Sequence, residues 1–216
     1  MNSIIIKAKF FDWFYQVEIF NQNSKYQPVF VLFDCASQVD NLVHRTIFDD
    51  HPIYEIKLLD HNLTYPILSQ LVIEYINSIC KQNFIFCSYG TSLIISLLLI
   101  IIYQQKKIQI FIFNSVLLDF FQNQQNWLKS KYFTHTWINS LLSQNFQSLN
   151  LRSIINWIIR TQKLSLVIIN DLDFLEKYHL NVLTIKKFWS NYANQKMIEI
   201  KNQSESIIIK NLIKQN

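Results

Sequence analysis

Glycine is almost missing from this 216-residue chain: Gly90 stands alone, beside three prolines and three cysteines. So little Gly and Pro excludes collagen-like repeats and a Gly/Ser-rich or Pro-rich linker. It also leaves no punctuation at which to divide the chain, and its length is that of one domain spanning 1–216. Cys35, Cys80 and Cys87 form no CxxC pair and share no metal-ligand spacing with the five dispersed histidines. Free thiols in a reducing compartment are therefore expected, with no disulfide framework, no metal and no cofactor.

Blocks of like charge are also missing. Lys106-Lys107 and Lys186-Lys187 are the only adjacent basic pairs, and the 20 Lys and Arg against 15 Asp and Glu leave a scattered net charge of +5. No basic stripe suggests nucleic acid, although a mildly positive face suits an acidic protein partner. The first fourteen residues carry Lys7, Lys9 and Asp12 through their apolar stretch, so no secretory leader is expected and the expected location is cytoplasmic.

Apolar residues, by contrast, are abundant: half of the chain is hydrophobic and 15% is aromatic, which offsets the ordering entropy that keeps polar chains disordered. They alternate between short runs and helical patterns. Strands are predicted at Ile4 to Phe10, Phe14 to Phe20, Val29 to Phe33, Ile53 to Leu58, Phe84 to Cys87 and Ile108 to Phe113. Thr64 to Cys80 repeats apolar pairs every four positions, with Thr64 as N-cap and Pro66 in the first turn, which predicts a helix; Ser92 to Tyr103 predicts another. From Leu117 to about Leu180 the pattern turns helical and rich in Gln, Asn and Trp, with a strand candidate only at Ser165 to Ile169. A helical lid insertion at about 118–180 is expected there. Strands at Val182 to Lys186 and Met197 to Lys201 and a closing helix near Ser204 to Lys214 complete the reading. The fold class is α/β, a mostly parallel central sheet with helices on both faces.

Phe84 to Tyr103 holds twenty residues without a charge between Lys81 and Lys106-Lys107, which meets the length rule for a membrane span. A single-span membrane protein is the less favoured reading. The polar stretch Cys87-Ser88-Tyr89-Gly90-Thr91-Ser92 interrupts the run, and a fully buried strand, turn and helix explains it.

That junction is where a nucleophile elbow would sit. In G-x-S-x-G a serine occupies a strained strand-to-helix turn, and the next backbone N–H joins the oxyanion hole. Here Phe86-Cys87-Ser88-Tyr89-Gly90 keeps the serine and the second glycine of that pattern. With the elements from Tyr65 to Ser115, and with Val31-Leu-Phe-Asp-Cys-Ala-Ser-Gln upstream, the chain resembles the acyl thioesterases of polyketide and nonribosomal peptide assembly lines. The resemblance spans about Gln27 to Lys210, most closely up to Leu117, and it implies the α/β-hydrolase fold.

By that resemblance Ser88 is the nucleophile candidate, and Tyr89 and Ala36 supply the oxyanion N–H groups. Asp34 stands where the family often has histidine. Asn114, in Phe113-Asn114-Ser115, takes the position of the family acid, and Ser204 takes the approximate position of the family histidine. Neither can do the family's work: an amide cannot stabilise an imidazolium, and a serine is no base near neutral pH. His179, oriented by Asp119, Asp171 or Asp173, is a substitute base. His44, His51 and His61 read as surface or turn residues, His135 as an aromatic lid contact, and Trp127, Trp137 and Trp157 as packing or channel lining. Whether the chain is an enzyme stays open. Two functions are expected: a thioesterase acting on acyl or peptidyl thioesters of a carrier protein, with its catalysis impaired, or a noncatalytic relative that binds the carrier or its acyl chain.

Overall fold

The computed structural model describes residues 3–10, 13–33, 43–58, 65–80, 83–103, 108–114, 165–177, 182–183, 186–187, 195–200 and 210. β1 (Ser3–Phe10) and β2 (Trp13–Phe20) pair antiparallel from Ser3 opposite Phe20 to Phe10 opposite Trp13. There follow β3 (Val29–Leu32), α1 (Val43–Ile47), β4 (Ile53–Leu58), α2 (Tyr65–Ile79) and β5 (Phe84–Tyr89). A 3-10 turn over Gly90–Ser92 leads into α3 (Leu93–Ile102), β6 (Ile108–Phe113), β7 (Ser165–Asp171), α4 (Leu172–Lys177) and β8 (Gln195–Ile200).

The eight strands of the described residues join one sheet in the order β1-β2-β4-β3-β5-β6-β7-β8. β2 runs antiparallel to both β1 and β4, and every pairing from β4 to β8 is parallel. Parallel strands covered on both faces need apolar residues at every position, not at alternate ones. β3 and β5 meet that need, being buried from end to end.

Alternate residues of these strands feed two cores. On one face Val29, Val31, Ile53, Ile85, Cys87, Phe111 and Ile169 pack with Val43 and Ile47 of α1. On the other, Phe30 stacks on Tyr54 at 5.2 Å and meets Tyr75 of α2 edge-on, while Phe84 meets Tyr103 at the end of α3. Burying one such ring is worth roughly 1.5–3 kcal/mol.

α3 bears no polar residue except Ser96, and Leu93, Ile95, Ser96 and Leu99 are buried. Its ten residues reach about 15 Å, half the thickness of a bilayer core. The uncharged stretch that satisfied the membrane length rule is thus split between β5 and α3, and no helix among the described residues is long and apolar enough to cross a membrane.

In the last third, Ser165–Asp171 is a strand where the sequence offered its candidate at Ser165 to Ile169, and it lies between β6 and β8, so the end of the segment expected as a lid is sheet followed by the short helix α4. The earlier part of the expected lid lies outside the described residues. Val182 to Lys186, expected as a strand, has Val182, Leu183 and Lys186 helical; short β-branched runs are ambiguous between the two states. β8 at Gln195–Ile200 falls close to the strand expected at Met197 to Lys201, and Lys210 is helical within the expected closing helix.

Candidate active site

Topology alone marks one place in this sheet. From β3 the chain moves outward to β4, then crosses back over β3 to β5, so the winding direction reverses between β3 and β5. At such a reversal the connections leave the carboxyl ends of adjacent strands in opposite directions and open a crevice for a ligand. Phe33 and Tyr89 stand at those ends, their rings stacked at 5.3 Å, and Tyr89 stacks in turn on Phe113 at 4.6 Å.

The turn out of β5 is sharp, and its left-handed residue is Gly90, with φ of 56°. A side chain there would crowd the carbonyl oxygen, so the one glycine of the chain stands where a Cβ is unfavourable. Ser92 secures the turn from the other side. Its Oγ accepts the Tyr89 N–H at 2.9 Å and lies within donating distance of the Tyr89 and Leu32 carbonyls, at 2.8 and 2.9 Å. Although Ser92 is the N-cap of α3, its side chain makes no cap hydrogen bond, because it is turned back to hold the elbow.

Ser88 lies two residues before that turn. It is in register with Leu32 of β3 and Ile112 of β6, is wholly buried, and receives a hydrogen bond from Ser96 Oγ of α3 at 2.6 Å. Its hydroxyl therefore points into the layer between β5 and α3 and not out over the strand ends. Tyr89, expected to offer an oxyanion N–H, gives that N–H to Ser92. Cys87 is buried and free, and burial pushes its thiol well above the usual range, away from nucleophilic use.

Asn114 stands directly after β6, where the sequence placed it, and does structural work there. It has φ of 51°, a conformation that Asn tolerates better than most residues. Its N–H donates to Ile169 O and its Oδ1 accepts the Asp171 N–H, both at 2.8 Å. The side chain so continues the β6–β7 ladder past its end. Asp171 is buried at the end of β7, and Asp173 is exposed on α4. Ala36, Asp34, Asp119, His135, His179 and Ser204 lie outside the described residues, as do Trp127, Trp137 and Trp157. Among the described residues no cluster of three His, Cys, Asp or Glu could hold a metal ion.

One constellation escaped the sequence reading. His44, expected at the surface, is completely buried: its Nδ1 lies 2.7 Å from Tyr89 Oη and its Nε2 lies 2.9 Å from Glu55 Oε1. Arg45 grips the same carboxylate with Nε and with Nη2, the latter at 2.7 Å from Oε2. Lys57 and Glu18 complete the cluster at 2.9 Å, and Arg45 also lies 4.0 Å over the Phe20 ring.

Burial pushes the His44 imidazole below its ordinary value, against the opposing pull of Glu55. A neutral ring fits the geometry, with Nε2–H donating to Glu55 and Nδ1 accepting from Tyr89 O–H. Burial alone would raise Glu55, but the hydrogen bonds from Arg45 and His44 outweigh it and bring the carboxyl down to about 2. Burial also pushes the Tyr89 phenol well above its ordinary range, so it remains an O–H donor. The signal in the sequence was Glu55 itself, a charge sharing a strand face with buried Ile53. A buried charge demands a partner, though the strand pattern does not say which.

Strand order, the antiparallel second strand and the sharp β5–α3 turn define the α/β-hydrolase fold. No family model matches the chain, and no curated protein matches it in sequence. Solved structures match its fold. Est1E from Butyrivibrio proteoclasticus superposes with a TM-score of 0.68 at 7% identity, covering 98% of this chain and 96% of that one. The thioesterase domain from the curacin biosynthetic pathway gives 0.63 at 8% identity, with both chains covered completely. A carboxylesterase of the ammonia-oxidizing thaumarchaeon Nitrososphaera gargenis gives 0.62 at 7%, covering 98% and 95%. At these identities the likeness is one of fold, shared by esterases and a thioesterase alike.

Proposed function

We propose that this chain is a noncatalytic relative of the thioesterases and esterases, keeping their fold to bind an acyl or peptidyl chain presented as a thioester by a carrier protein. One observation carries the reading. The residue at the strained turn, where an α/β hydrolase holds its nucleophile, is Gly90, and it has no side chain to react. In this register the elbow pentapeptide is Ser88-Tyr89-Gly90-Thr91-Ser92, and the two serines take the places of the flanking glycines. Those glycines serve close approach, which a small buried serine also permits, whereas left-handed φ is met at no cost only by glycine.

The hydrolytic alternative would need Ser88 to leave β5, surrender its bond from Ser96 and find a base such as His179. Nothing in the geometry favours that route over the first. A ligand at the carboxyl ends of β3 and β5, near Phe33 and Tyr89, is supported by the reversal of winding between those strands. The mildly positive surface charge suits an acidic carrier.

Titration with an amide analogue of an acyl-pantetheine thioester, followed by calorimetry or NMR, tests the proposal. Saturable binding is expected, together with no release of free thiol from the true thioester. Thiol release by wild type that disappears in Ser88→Ala would overturn the noncatalytic half, and no binding at any acyl length would overturn the rest.

A further inference from the structure

Both faces of β1 are exposed over residues 4–7 in a way that an ordinary sheet edge is not. This strand pairs with β2 along its whole length without a bulge, and among the described residues no strand pairs with its other side. Ile4, Ile5 and Ile6 are 51%, 55% and 44% exposed, and among the described residues few other large apolar side chains are so placed. Sheet edges are usually blunted by charge, proline, a bulge or a covering element. The Ile4-Ile5-Ile6 stretch has no charge or proline, and the first charge along β1 is Lys7.

We propose that β1 is a self-pairing edge: β1 of a second copy of this chain aligns antiparallel with it about a two-fold axis at Ile5, continuing the sheet across both molecules. Antiparallel pairing of identical strands is isologous, so one strand supplies both halves of the contact. Charge selects the register. Centred on Ile5, the pairing sets Ile5 against itself, Ile4 against Ile6 on both sides of the axis, and Lys7 against Ser3. Centred on Lys7 or Ala8, it sets lysine against lysine, a like-charge arrangement that destabilises cross-strand pairs. Centred on Ile6, it exchanges two of the three Ile–Ile pairs for Ile–Ala and Ile–Lys contacts. The Ile5 register alone unites the exposed isoleucines and separates the lysines.

Sedimentation velocity of the full chain from about 1 to 100 µM, a range that brackets strand-sized interfaces, is the test. Wild type is expected to form a dimer as concentration rises, with amides of residues 3–7 gaining protection from hydrogen exchange in step. I5K and I5E are each expected to be monomeric, and an equimolar mixture of the two to dimerise, because opposite charges then meet across the axis. Ile79→Lys, at an exposed site on α2, is expected to leave the dimer intact. A wild type that stays monomeric, a dimer that persists in I5K, a mixture that stays apart, or a dimer without protection at residues 3–7 would each overturn the proposal. The exchange measurement uses wild type alone and decides the matter even if a variant fails to fold.

Discussion

β5 has two faces, and they are built on opposite principles. Toward α1, Tyr89 enters a network of ionised and neutral groups that runs from buried His44 and Glu55 to the partly exposed Arg45, Lys57 and Glu18. Toward α3, Ser88 is hydrogen-bonded among the described residues to Ser96, two neutral hydroxyls beside buried Leu93, Ile95 and Leu99. The first face contains charges that demand every one of their partners, and the second could lose its hydroxyls with little consequence. The demanding contacts lie beneath the turn, where they hold α1 against the sheet.

The sharpest way to break this contrast is Glu55→Ala. It strips His44 and Arg45 of their shared acceptor at once, and breaking a buried ion pair from one side costs about 3–5 kcal/mol. Chemical denaturation should show a loss of that order, and a loss under 1 kcal/mol would mean that the network is ornamental.

Acid should reach the same face without mutation. Glu55 has its folded pKa lowered to about 2 from an ordinary 4.5, so its contribution is complete above about 4.5 and disappears as pH falls toward 2. That shift corresponds to about 3 kcal/mol. His44 is also lowered, so the unfolded chain takes up its proton first and stability begins to fall as pH drops below the imidazole's ordinary 6.5. Denaturation midpoints measured from pH 8 to 3 should decline monotonically. A midpoint that rises on acidification would contradict the assignment of a neutral His44 and an ionised Glu55.

The turn itself should answer next. Gly90→Ala forces a Cβ into left-handed backbone at a cost of about 1–2 kcal/mol. Gly90→Asn should cost less, since Asn21 and Asn114 already adopt positive φ in this chain. Equal losses for the two variants would indicate that crowding and not backbone conformation requires the glycine.

Ser88→Ala should have the smallest effect, about 1 kcal/mol or less, because the remaining Ser96 hydroxyl can turn to a carbonyl of its own helix. The double variant with Ser96→Ala should be closer still to wild type in stability. A Ser88→Ala loss approaching that of Glu55→Ala would erase the difference between the faces.

Much of the fold was legible because burial on both sides of a parallel sheet writes itself as uninterrupted apolar runs. β3 to β6 and both long helices fall where those runs and the four-residue apolar spacing put them. β7 was harder, since its run of Leu166 to Ile169 follows a long stretch of helix-like sequence pattern and stood only as a candidate, and its pairing with β6 and β8 shows it to be core.

The site was read less well, and for a definite reason. Aligning the elbow on its last glycine assumed that a lone surviving glycine could stand at either kind of position. Backbone strain discriminates: close packing accepts serine at 88 and 92, while left-handed φ holds glycine at 90. His44 was misplaced because its partners come from β4 and β5, a proximity created by the winding of the sheet and invisible in local pattern.

The central claim is that no activated serine stands at the β5 turn. Intact-mass spectrometry after exposure to a fluorophosphonate, on folded wild type and on Ser88→Ala, tests it most directly. The account predicts no stoichiometric adduct on either protein; one adduct per wild-type chain, absent from Ser88→Ala, would contradict it and make Ser88 a nucleophile.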